Sequence, residues 1–108
     1  MIVHLNAAGQ LFLAEQNDFK RLHCAFPRLK KAPDLRGQLG DFVELEGTEA
    51  AWISLDWMRR QAVEPRAAWL FELDRMIDWA KTRGWVSPDD QRVKAHVIWH
   101  DADPQLPR

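Results

Sequence analysis

The sequence predicts an α+β fold: a single, mostly antiparallel sheet of about five strands, in the order ββαββαβ, with one short and one long helix packed on one face. Three observations carry that expectation. Short apolar runs separated by turn residues occur near the start, in the middle and near the end of the chain, as strands and hairpins require. One long stretch, from about Pro65 to Arg83, repeats its apolar residues at the 3.6-residue period of a helix. The chain has 108 residues, 46% of them hydrophobic and 29% charged, which is enough apolar surface to offset the entropy of ordering one core. Residues 1–100 are expected to form one compact α+β domain. Residues 101–108, with two prolines and no apolar cluster, are expected to be a flexible C-terminal tail.

Ile2 to Leu5 and Leu11 to Ala14 flank an Asn6 to Gln10 turn that contains Gly9, which reads as a first hairpin. Alternation places Val3 and Leu5 together, and they are the expected core pair. Asn17 or Asp18 can cap a short helix to about Cys24, with Phe19, Leu22 and Phe26 near helical spacing before Pro27 stops it. Pro27 to Gly40, rich in proline, glycine and cations, reads as a mobile surface loop. Asp41 to Glu46 and Ala51 to about Trp57 alternate around Gly47-Thr48 as a second hairpin. A helix through Ala51, Leu55, Met58 and Ala62 is the rival for the second arm, but it leaves Ile53 and Trp57 off its stripe.

The long helix is the strongest element. Pro65 suits its first position, and Trp69, Leu70, Leu73, Met76, Ile77 and Ala80 form its apolar stripe. Gly84 stands where a left-handed residue ends a helix, and Trp85 can fold back over Ala80 in a Schellman-type stop. Ser87 to Asp90 reads as a turn and Val93 to Trp99 as the closing strand.

The 15 basic and 16 acidic residues give a net charge of −1, which supplies no long-range attraction to nucleic acid or to an anionic membrane. Locally, six cations against Asp34 make residues 20–36 net +5, and five carboxylates make residues 41–56 net −5. Phe26 beside the basic segment is the only aromatic support for single-strand binding there, so nucleic acid is not an expected partner. Met1 to Leu5 lacks the basic flank and length of a secretory or membrane-spanning segment, and a cytoplasmic location is expected. Cys24 is the only cysteine, so packing rather than intrachain disulfides must hold the fold.

No constellation in the sequence points to catalysis, and no cofactor or metal is expected. His96 and His100 share a strand face but are about 13 Å apart, too far to share a zinc ion whose nitrogens lie at roughly 2.0 Å. A set of His100, Asp101 and Asp103 would need an ordered tail. Cys24 and His23 are sequence neighbours, which in a helix do not face each other. Glu44 and Glu46 share a strand face about 6.6 Å apart, yet no apolar pocket is in view to raise one pKa. Phosphate-binding glycine loops, nucleophile elbows and dinucleotide fingerprints are absent from the sequence.

Six tryptophans with no tyrosine are the informative feature. Trp69 belongs to the buried stripe, whereas Phe71 falls nearly opposite it and Trp79 sits at its edge, so one helix face cannot bury all three. Trp52 alternates away from Ile53 and Leu55. Exposed tryptophan near arginine is the composition of interface hot spots. The expected function is therefore a small non-enzymatic interaction module that self-associates or binds a protein partner through Phe71, Trp79, Trp52 and Arg75. The alternative is a small-ligand-binding protein or small enzyme, with a pocket between sheet and long helix lined by His4, His96, Trp57 and Trp99.

Overall fold

A computed structural model describes residues 1–6, 8–28, 37 and 39–100 of the chain. Its elements are β1 (Ile2–Leu5), β2 (Leu11–Ala14), β3 (His23–Pro27), β4 (Val43–Glu46), β5 (Ala50–Ser54), α1 (Leu55–Arg60), α2 (Arg66–Thr82) and β6 (Arg92–His100). The fold is α+β with one sheet, as the patterning requires. The sheet, however, has six strands in the order β2-β1-β3-β6-β5-β4 and is mixed: β1, β3 and β6 run parallel, while the other pairings are antiparallel.

Two segments account for the difference from five mostly antiparallel strands. The short helix expected from Asn17 to Cys24 is absent. Its residues form turns up to Lys20, and the chain then enters β3. Cys24, Ala25, Phe26 and Pro27 are all buried there. A strand buried on both faces shows no two-residue alternation, so its apolar residues imitate a helical spacing by chance. The second segment is Ala51 to Trp57, where strand and helix each hold about half of it. β5 ends at Ser54, whose hydroxyl accepts the Trp57 N–H at 3.1 Å and caps α1, a role for which serine is well suited.

Other expectations hold at residue level. Asn6 donates to the Gln10 carbonyl and Gly9, at φ 82°, closes the first hairpin turn. Val3 and Leu5 are buried. The long helix begins one residue later than expected, at Arg66, with Pro65 at the cap position. Its stop is a complete Schellman motif: Trp85 N–H donates to the Ala80 carbonyl at 3.0 Å and Gly84 N–H to the Lys81 carbonyl at 3.1 Å, with Gly84 at φ +75°. Most of the basic loop and the tail, residues 29–36, 38 and 101–108, lie outside the described residues.

Register sets the two faces of the sheet. Leu13, Val3, Cys24 and Val97 align across β2, β1, β3 and β6, and Ala95, Ala51 and Leu45 continue the same face across β6, β5 and β4. Trp69, Leu73, Met76, Ile77 and Ala80 of α2 and Leu55, Trp57 and Met58 of α1 join that face in one core cluster. Each large side chain fully buried in it contributes roughly 1.5–3 kcal/mol. The opposite face carries all four histidines: His4 on β1, His23 on β3, and His96 and His100 on β6. Among the described residues no helix is long and apolar enough to cross a membrane.

Candidate ligand-binding site

The geometry of the candidate site starts from a mismatch in strand length. β3 first pairs with β6 at His23 and His96, so Arg92 to Ala95 extend beyond the end of β3. On that side β6 is met only briefly: Val86 bridges Val93, and Lys94 N–H donates to the Trp85 carbonyl at 2.7 Å. The segment Phe19 to Leu22, entering β3, does not close against Trp85. A cavity of about 530 Å³ occupies the gap.

Its floor is Val93 and Ala95 of β6. One wall is the last part of α2, through Met76, Trp79 and Ala80, together with Trp85; the other is Phe19 and Leu22. A smaller concavity of about 250 Å³ adjoins it and shares Phe19, Lys20, Met76 and Trp79. The polar contributors are Lys20, Arg21, Glu49, Lys94 and His96.

Local structure holds these walls. The Schellman stop turns Trp85 back toward Ala80, and its ring meets Trp79 edge-on at 5.3 Å between centroids and 72°, a favoured aromatic geometry. Trp79 is 49% exposed and Trp85 41%, and Arg83 lies over the Trp79 ring at 5.1 Å. Phe19 rests on Trp69 at 5.8 Å, and the Trp69 indole N–H donates to the Gln16 carbonyl at 3.0 Å. The facing turn is pinned from below. The Met1 ammonium donates to the carbonyls of Asp18 at 2.7 Å and Arg21 at 3.2 Å, and Lys20 N–H donates to the Asp18 carboxylate at 3.1 Å.

The structure brings together only part of each residue set nominated from sequence. Phe71, Arg75 and Trp79 are spaced by four and follow one row along the solvent side of α2. Phe71 is 62% exposed, and Arg75 pairs with Glu72 at 3.8 Å. Trp52 does not join them. It lies on β5 under the Lys94 ammonium, 5.8 Å from its ring centre, and Lys94 in turn pairs with Glu46 at 2.8 Å.

Of the ligand set, His96 lines the cavity and the other three do not. Trp57 is buried in α1 against Phe42, Trp99 packs on Phe26 and donates to the Thr48 carbonyl, and His4 stacks on Phe12 at 4.9 Å.

No protein-family model, curated protein or solved structure matches this chain.

Chemistry at the remaining candidates is limited. Burial pushes the Cys24 thiol up to about 12, so at neutral pH it is a protonated core residue rather than a nucleophile. His23 lies beside His96 across the β3–β6 pair, a neighbour the sequence conceals because His23 reads as helical. Burial first, then the Met1 ammonium and the His96 and His100 imidazoles, lower its pKa, against the hydrogen bond its ring donates to the Arg21 backbone carbonyl, which raises it. Among the described residues no three metal-ligating side chains converge. Glu44 and Glu46 lie on the exposed side of β4, and Lys94 holds the Glu46 carboxyl below its ordinary value.

Phe19, Leu22, Lys20 and Arg21 were not predicted as site residues. The only sequence signals for them are the basic run that begins at Lys20 and the return of Trp85 over Ala80.

Proposed function

We propose that this protein is a small binding module that holds a ligand with an apolar body in the cavity between α2, Trp85 and the exposed end of β6. The supporting observation is the cavity itself. Its volume of about 530 Å³ falls in the range of small-molecule sites, roughly 300–1,000 Å³, which typically pair apolar and aromatic walls with a few polar groups. Two half-exposed tryptophans at its wall supply flat contact area whose burial by a ligand is favourable.

A panel of small aromatic and aliphatic compounds tests this reading by melting temperature and tryptophan emission. A ligand that binds only the folded state, at about 100 times its Kd, adds about 2.7 kcal/mol of stability. Binding is expected to weaken in Trp79→Ala. A panel that moves neither signal counts against the proposal.

A second reading keeps the interaction module, because Phe71 is exposed in a row with Arg75 and Trp79 on α2. It is separable by mutation. Phe71→Ser is expected to leave ligand binding intact while abolishing any dimer or partner complex seen by light scattering; an unchanged assembly state, or a monomer at high concentration, removes it.

A further inference from the structure

We infer that the cavity selects ligands carrying an anionic group on an apolar body, of the kind found in aryl and arylalkyl carboxylates, with Lys20 and Arg21 receiving the anion. This rests on the cavity being a ligand site, and it adds the chemical class of what enters.

The charges around the cavity are not equivalent. Lys94 is already committed to Glu46 at 2.8 Å and to the Trp52 ring. Lys20 and Arg21 make no side-chain ion pair or hydrogen bond among the described residues, and both line the cavity. They stand beside an apolar volume bounded by Phe19, Met76, Trp79 and Trp85, so a bound molecule whose body fills that volume brings its polar end within reach of two uncommitted cations. Ammonium and guanidinium groups make their strongest hydrogen bonds to carboxylate and similar oxyanions. The turn that carries them is fixed by the Met1 ammonium and by Asp18, which reduces the ordering cost of binding.

A cationic ligand is the opposing case, because Glu49 also lines the cavity and tryptophan faces attract cations. The Trp79 face is already taken by Arg83 at 5.1 Å. Two cations without a side-chain partner among the described residues, against one carboxylate, leave the balance on the anion's side.

The experiment compares 4-phenylbutyrate with 4-phenylbutyramide and 4-phenylbutylamine, and 2-naphthoate with 2-naphthamide, by calorimetric titration of the full chain. The acids are expected to bind at least about fivefold more tightly than the amides, with the amine weakest. Lys20→Ala/Arg21→Ala is expected to bring the acid-to-amide affinity ratio to about one. Both residues are exposed, so the variant folds, which circular dichroism verifies. Trp79→Ala is expected to weaken acid and amide alike. Equal binding of acid and amide, tighter binding of the amine, or a preference that survives the double substitution overturns the anion inference and leaves the cavity reading standing. Binding of none of the compounds overturns both.

Discussion

At the scale of single residues, the apolar periodicity is legible where one face of an element is buried and illegible where both are. Val3 and Leu5 alternate with Ile2 and His4 and are buried as their spacing requires, whereas Cys24 to Pro27 has no alternation to read. The second case also hid His23. Placed on β3, it lies near the Met1 ammonium and beside the His96 imidazole, with His100 farther along β6, and its pKa falls below the ordinary 6.5 chiefly through burial. A histidine whose folded-state pKa is depressed contributes its full stability above the unfolded value. As pH falls below 6.5 the unfolded chain takes up the proton first, and that contribution is lost until the folded state titrates as well. The urea midpoint is therefore expected to drop between about pH 7.5 and about pH 5.5, with a shallower drop in His23→Gln. Equal slopes for the two proteins would show that His23 carries no part of the proton linkage.

At the scale of elements, what is encoded locally was legible and what depends on competition was not. The end of α2 needs only a glycine and a following apolar residue, and both hydrogen bonds of its stop are present. Ala51 to Trp57 carries a strand pattern with a rival helical stripe through Leu55 and Met58, and the hydroxyl of Ser54 marks where one gives way to the other. Gly84 offers a clean test, because at φ +75° no atom lies within 4 Å of an added Cβ. Gly84→Ala therefore meets backbone strain and no clash. The expected cost is about 1–2 kcal/mol, a fall in melting temperature of roughly 4–8 °C for each kcal/mol lost in a domain of this size. The same strain loosens the turn that brings Trp85 back to Trp79, so the tryptophan emission is expected to move to longer wavelength in the variant as these rings gain solvent. A melting temperature equal to that of the parent protein would mean that the stop contributes nothing to stability.

At the scale of the whole molecule, strand order was beyond the reach of the sequence, because nothing local says that His23 pairs with His96. The candidate cavity shares that opacity: its lining comes from segments as distant in sequence as Phe19 to Leu22, Met76 to Trp85 and Val93 to His96, and the gap exists only because β3 begins opposite the middle of β6. The same arrangement sets which parts of the sheet open last. β3 and β6 are internal strands bonded on both sides, while β2 and β4 are edges bonded on one. Opening β3 or β6 breaks two ladders and exposes Cys24, Phe26, Val93 and Val97, all nearly inaccessible in the fold, so their amides should exchange only through global unfolding. Amides of β2 and β4 can exchange by local fraying of a single ladder. Native-state hydrogen exchange is therefore expected to give β3 and β6 protection free energies equal to the global unfolding value, and β2 and β4 values lower by about 1 kcal/mol or more. Slowest exchange in β4 or β2 would contradict the mixed order β2-β1-β3-β6-β5-β4, because an antiparallel sheet built from the two hairpins would place different strands at its centre.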